Sequence, residues 1–262
     1  MTDWNAAGYT RIAQLQEAMA LEVLDLLNLQ GSERVLDVGC GNGKVTAQIA
    51  SRLPSGSVVG IDPSPDMIAF ASNHFGRTAH SNVRFLTGDA RALPFQQEFD
   101  LLVSLNALHW IPDQDVALHS MRGAMKEGGT AQFRLVPKGK RKSLENVIEE
   151  TRCSTRWTKF FQAFRDPYLH WTPEQYAASA ERNRFRVVSI QTEDKSWDFQ
   201  SHSAFVASAM VTFVEWTRFL PESEKLAFVD DVLDRYRQVA ADRPGEENTF
   251  KFYQMDIKLA AV

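Results

Sequence analysis

The sequence predicts an α/β protein: a doubly wound, mostly parallel sheet of seven strands carrying a helical cap. Three observations predict it. Short aliphatic and β-branched runs alternate with helical stretches through the first half of the chain, the pattern of βαβ units. The first run, at residues 35–38, passes straight into three alternate glycines, Gly39, Gly41 and Gly43, and then into a helix over residues 45–53. Beyond residue 140 long aromatic-rich helices precede a final apolar strand, which suits a lid over a pocket.

The elements follow in order. Residues 6–29 read as a helix, because Leu15, Met19, Val23, Leu26 and Leu27 recur at helical spacing, and Gly31 is a C-terminal stop. The strand at 35–38 ends in Gly39-Cys40-Gly41-Asn42-Gly43. Glycine lets the backbone turn sharply and lets a ligand approach without meeting a Cβ. The spacing is G-x-G-x-G and not the dinucleotide G-x-G-x-x-G, so nothing asks for a pyrophosphate. The second strand, 57–62, ends in Asp62, about 20 residues past the turn, where an acid is placed to accept hydrogen bonds from two ribose hydroxyls. Pro63 follows, Ser64 caps the next helix, and Pro65 takes its first position. Met67 and Ile68 on that helix either face a purine ring or pack into the core.

A third strand, 83–90, ends in Asp89 and Ala90: the acid can accept from an exocyclic amine, and Ala90 can offer its N–H to a ring nitrogen. The fourth, 99–104, runs into Ser104-Leu105-Asn106-Ala107-Leu108-His109-Trp110. Ligands in doubly wound sheets bind at the carboxyl ends of the strands, at the switch in strand order, so this is the loop expected to face a substrate. His109 reads either as a substrate contact or as a structural hydrogen bond, and Trp110 either as a pocket wall or as a buried aromatic. A helix over 116–125, a tight turn at 126–130 and a fifth strand at 131–136 follow. The basic run from Lys138 to Lys142 reads as a solvated loop, the alternative being contact with an acidic group. Helices are expected over 143–165 and from Thr172 to near Asn183, a sixth strand over 185–191, helices over 201–241, and the last strand over 249–261.

Composition bounds the function. The 262 residues suffice for one large domain, and a hydrophobic share of 44% supplies its core. The net charge of −4 gives no reason to expect nucleic acid as partner. Two distant cysteines, Cys40 and Cys153, fit a reducing compartment and offer no zinc spacing, so no metal is expected. No apolar run reaches the ~18 residues of a membrane span, and the first residues lack the pattern of a leader. The expectation is a soluble, cytoplasmic protein without a membrane partner.

The series from Val35-Leu36-Asp37-Val38-Gly39 through Asp62, Asp89 and the fourth strand resembles the class I S-adenosylmethionine-dependent methyltransferases, with their Rossmann-like fold. That resemblance implies S-adenosyl-L-methionine as cofactor and S-adenosyl-L-homocysteine as product. It implies a cofactor site of Asp37, Gly39, Cys40, Gly41, Gly43, Asp62, Pro63, Met67, Asp89, Ala90, Ser104 and Asn106. Leu108-His109-Trp110-Ile111-Pro112-Asp113 is similar to the loop of trans-aconitate and juvenile-hormone-acid methyltransferases. The opening Asp3-Trp4-Asn5 resembles the first of these, and Tyr9, Gln14 and Gln16 the second. In such relatives an N-terminal helix closes over the site, which implies Tyr9 and Gln14 at the cofactor; the alternative is that Trp4 and Tyr9 anchor a fraying terminus and Gln14 and Gln16 are solvated. Gln16, His109 and Trp110 are then expected to place the acceptor. Both groups esterify a carboxylic acid, so the expected acceptor is a small acid with an apolar part. For a tricarboxylate, Arg134, Arg156 and Arg165 are the candidate cations. A hydroxyl or phenol acceptor would instead make His109 the base, and a non-catalytic nucleoside binder is the remaining alternative. One domain is expected over 1–262, with an N-terminal helical segment, 1–30, and cap insertions at 143–183 and 201–241.

Overall fold

The computed structural model describes residues 19, 22–76, 79–166 and 168–262. Trp4, Tyr9, Gln14 and Gln16, with most of the helix expected over 6–29, lie outside the described residues; residues 22–26 are helical. In chain order come β1 (Arg34–Val38), α1 (Lys44–Ser51), β2 (Ser57–Asp62), α2 (Pro65–Phe75), β3 (Val83–Thr87), β4 (Phe99–Leu105), α3 (Gln114–Ala124) and β5 (Met125–Leu135). Then follow α4 (Leu144–Arg152), α5 (Pro173–Arg182), β6 (Phe185–Asp198), α6 (His202–Thr212), α7 (Val214–Thr217), α8 (Glu222–Ala240) and β7 (Thr249–Ala261).

The strands form one seven-stranded sheet in the order β3-β2-β1-β4-β5-β7-β6. The first five pair in parallel, and β7 lies antiparallel between β5 and β6. Helices cover both faces, which is why the central strands read as unbroken aliphatic runs and not as an alternation. On one face Leu36, Val59, Phe99 and Phe133 pack with α3 and α5. On the other, Val35, Val58, Leu101 and Val103 pack with α1 and α2. The order of strands reverses between β1 and β4, and ligands of doubly wound sheets bind at such a reversal, outside the carboxyl ends. Ser64 caps α2 by accepting from the Met67 N–H at 3.3 Å, with Pro65 at the first turn, as its sequence requires.

Several boundaries differ from the sequence reading. The turn expected at 126–130 belongs to β5: Gly128 has φ 74°, and the pairing with β4 shifts register between Phe99 and Leu101, so the strand continues through an irregularity. β6 runs seven residues past 191 because β7 offers it partners as far as Asp198 opposite Thr249. The helix expected over 143–165 stops at Arg152 and is followed by a short 3₁₀ turn, Thr158–Phe160.

The expected cap also divides. Trp157, Phe161, Phe205, Trp216, Phe228 and Tyr236 form a second core that joins α4, α6, α7 and α8. Its buried indoles have partners: Trp157 Nε1 donates to Asp231 at 2.7 Å and Trp216 Nε1 to Glu149 at 3.1 Å. By contrast α5 sits on the sheet, where Tyr176 and Ala180 join the main core. Among the described residues no helix is long and apolar enough to cross a membrane, and no group of three or more His, Cys, Asp or Glu could hold a metal ion.

Candidate active site

The expected ligand site centres on the turn after β1. Gly39, Gly41 and Gly43 all have left-handed φ, at 79°, 53° and 78°. At Gly43 a Cβ would lie 2.6 Å from that of Ala71 and 2.7 Å from the Phe85 ring, so the turn can sit on α2 and β3 only with glycine there. Around Gly41 no described atom lies within 4 Å of such a Cβ, so its backbone is open to approach. The N–H groups of Gly39 and Cys40 both donate to the Ile61 carbonyl, at 2.8 and 3.1 Å, fastening the turn to the end of β2.

Asp62 completes that fastening. One carboxylate oxygen accepts from the Gly41 N–H and the other from the Ser64 N–H, both at 2.9 Å. A carboxylate has about four lone-pair sites, so two remain for a ligand's hydroxyls. Burial raises its pKa, and the two backbone donors oppose the rise. Two expected cofactor residues lie beneath the turn and not on it. Asp37 is 2% exposed, accepts from Thr46 Oγ1 at 2.6 Å, and is pushed up to about 6 by burial, with the Asp62 charge adding to the rise. Ser104 is fully buried and its hydroxyl donates to the Val38 carbonyl at 2.7 Å, a strut between β4 and β1. Cys40 is buried too, and burial raises its thiol well above the ordinary value.

The outer wall carries Met67, Asp89 and Ala90. Met67 is 4% exposed on α2 and Ala90 is 6% exposed; Pro63 is exposed at the mouth. Asp89 accepts from the Arg91 backbone at 2.8 Å and from its guanidinium at 2.6 Å, and that side chain holds its pKa low. Arg91 reaches on to Asp113 at 3.2 Å. Asn106, just past β4, has φ 55° and donates its backbone N–H to the Arg134 carbonyl at 2.7 Å. Its Oδ1 is buried without a partner among the described residues.

His109 and Trp110 lie against the second core. His109 is 3% exposed; its Nδ1 accepts from the Val136 N–H at 3.3 Å and its carbonyl from the Leu169 N–H at 2.9 Å. Burial, with His170 adding to it, drives its pKa down to about 3. Its ring lies 4.8 Å from Tyr168, and Trp110 meets Tyr168 edge-on at 4.6 Å and Trp216 at 6.0 Å. So the structure brings Gly39, Gly41, Gly43, Asp62, Asn106 and His109 to one end of the sheet. Two of the three cations expected for a polyacid are engaged elsewhere: Arg134 holds Asp256, Glu22 and the Met19 carbonyl, and Arg156 holds Asp231. Tyr168, His170 and Arg141 went without a role in the sequence reading. They sit in irregular chain with no period, and the only local signal is the aromatic i, i+2 spacing of Tyr168 and His170.

A glycine turn and a strand-ending acid at the reversal of a parallel sheet define a nucleoside-binding α/β site. A family model described as a methyltransferase domain matches residues 35–129. Over 254 residues the chain is 36% identical to a trans-aconitate 2-methyltransferase of Escherichia coli O1:K1, covering 95% of this chain and 93% of the relative. Over 131 residues it is 33% identical to a malonyl-[acyl-carrier protein] O-methyltransferase of Acetivibrio thermocellus, covering 49% of this chain and 45% of that one. The structure of Haemonchus contortus phosphoethanolamine N-methyltransferase 2 in complex with S-adenosyl-L-methionine matches with a TM-score of 0.62 at 18% identity, over 98% of this chain and 56% of that one. The chain belongs to the class I S-adenosylmethionine-dependent methyltransferases, in the group that includes the trans-aconitate enzymes, and S-adenosylmethionine is its cofactor.

Proposed function

We propose that the protein methylates the carboxylate of a small organic acid with an apolar part, giving its methyl ester. The observation that carries this reading is the state of His109. The lone pair that would take a proton from an acceptor already accepts the Val136 N–H, and the ring is buried with a pKa near 3. A base serves best with a pKa near the working pH, and this one is far below it. A hydroxyl or phenol acceptor needs such a base. A carboxylate, ionised at neutral pH, needs only placement and the exclusion of water.

The cofactor supplies a methyl group already activated on a sulfonium. The residues fit it: the Gly41 backbone is open, Asp62 keeps lone pairs for the ribose hydroxyls, and the unpaired Asn106 Oδ1 suits an ammonium. Met67 and Ala90 would flank the adenine, with Asp89 at its amine, Pro63 at the mouth, and Cys40, Asp37 and Ser104 holding the turn's shape. Trp110 and Tyr168 would supply an apolar wall for the acceptor, with Trp216 packed behind Trp110. The relatives' names agree, since trans-aconitate is a carboxylic acid and a malonyl group bears one. The test is transfer of labelled methyl to a panel of acids and matched alcohols and phenols. Base-labile label on an acid is expected. Label on a phenol alone, with a rate that climbs through the histidine range, overturns the reading.

A further inference from the structure

A cavity of about 310 Å³ lies between the loop after β5, the first turn of α4 and β7. In the sheet order β1-β4-β5-β7 it stands beyond the glycine turn and beyond His109. It touches the transfer site through its own lining: Val136 donates to His109, and the Tyr168 ring packs on it.

Among the described residues, two nitrogens on its wall lack partners. Arg141 pairs with Asp194 through Nη2 and lies over the Tyr253 ring, with its guanidinium carbon 5.3 Å from the centroid. Its Nη1 is buried and has no partner among the described residues; the same holds for His170 Nε2. A guanidinium N–H can only donate, and a buried donor without an acceptor is costly. The N-terminal turn of α4 also lines the cavity, presenting the positive end of the helix dipole. The acids on the wall are engaged: Glu149 with Arg152, Glu145 with the Tyr168 hydroxyl, Asp166 with the Tyr168 N–H.

We infer that this cavity binds a second carboxylate of the acceptor, remote from the one methylated, with Arg141 Nη1 and His170 Nε2 each donating to it. The inference rests on the carboxylic-acid reading and extends it: the acceptor is a diacid whose far end is anchored under the cap. A carboxylate has two acceptor oxygens, enough to take one bond from each open donor.

The test compares succinate, glutarate, adipate and suberate with butyrate, valerate, hexanoate and octanoate. Binding is measured by calorimetry with S-adenosylhomocysteine present, and turnover with labelled cofactor. At least one diacid should bind about 10- to 100-fold tighter than its matched monoacid, the worth of a charge-assisted hydrogen bond. Arg141→Gln, and separately His170→Leu, should each shrink that ratio toward unity. Lys140→Gln, on the same loop but outside the lining, should not change it. If Arg141→Gln loses its folded circular dichroism, His170→Leu decides. No diacid preference in the wild type, or one that survives both substitutions, overturns the anchor. Diacids that bind while no acid is methylated would sink the carboxyl-methylation reading and leave the anchor standing. Methylated monoacids without a diacid preference would do the reverse.

Discussion

His109→Gln separates a buried strut from a general base. In the wild type the Val136 N–H donates to Nδ1 at 3.3 Å, and a glutamine carbonyl can accept the same bond. Burial holds the histidine near 3 in the folded state, against about 6.5 in the unfolded chain. Folding therefore keeps neutral a ring that the unfolded chain protonates. The stability this brings is complete above about pH 6.5 and declines as pH falls toward about 3, by about 1.4 kcal/mol per pH unit. At about pH 5 the loss is about 2 kcal/mol. Asp37 works in the opposite sense: pushed up to about 6, it contributes stability at low pH that is lost as pH rises from about 4 to about 6. The wild-type curve alone mixes the two, so the informative quantity is the difference between wild type and variant. Urea unfolding of both at about pH 7 and about pH 5 should show that difference moving by about 2 kcal/mol in the variant's favour on acidification. Methyl transfer at neutral pH should stay within about tenfold of wild type, whereas loss of a base costs about 10²–10⁴-fold. Parallel stability curves would refute the neutral buried histidine. A loss beyond about a hundredfold, with a wild-type rate that rises through pH 6–7, would refute the carboxylate mechanism.

Three more outcomes are expected. Asp62→Ala should weaken S-adenosylhomocysteine binding by calorimetry, at about 1.5–3 kcal/mol for each ribose bond lost to a charged acceptor; unchanged affinity in a folded variant would remove Asp62 from the site. Gly43→Ala should lower the melting temperature steeply because its Cβ meets Ala71 and Phe85. Gly41→Ala should cost only about 1–2 kcal/mol of backbone strain while impairing cofactor binding, and equal melting points would contradict that contrast. Limited proteolysis should release no stable folded fragment from residues 144–164 or 201–241, because their aromatic core is shared between the two segments; an independently folded fragment would make the cap a separate domain.

The sheet was legible because its signals are local. Val35, Leu36 and Val38 followed by alternate glycines specify a buried strand and a left-handed turn without help from distant residues. Asp62 was readable for the same reason, since its distance from the turn follows from the length of one βαβ unit. β6 was read short because Thr192 to Asp198 is polar. Only pairing with β7, more than fifty residues on, makes that stretch a strand. Helix α5 has an ordinary amphipathic pattern, and no periodicity says whether its apolar face meets the sheet or the cap. The acceptor side was least legible. Arg141 sits in a basic run that reads as solvated, yet its stacking on Tyr253 and pairing with Asp194 draw it inward. Conversely Arg134 is a conspicuous cation in the sequence, and the fold neutralises it with Asp256 and Glu22.

The position of β7 has a consequence for how the molecule is made. The last strand in the chain is an interior strand of the sheet, flanked by β5 and β6. As the polypeptide leaves the ribosome, β5 and the fourteen-residue β6 must both wait with open backbone edges until Thr249–Ala261 arrives. Tyr236 then locks the newcomer by bonding both the N–H and the carbonyl of Lys251 at 3.0 Å. Non-local pairing of this kind is slow to form, and an unpaired edge invites intermolecular association while it lasts. Nascent chains stalled before residue 249 should therefore be the species that chaperones retain, and deletion of Thr249–Ala261 should cost the cell the whole protein.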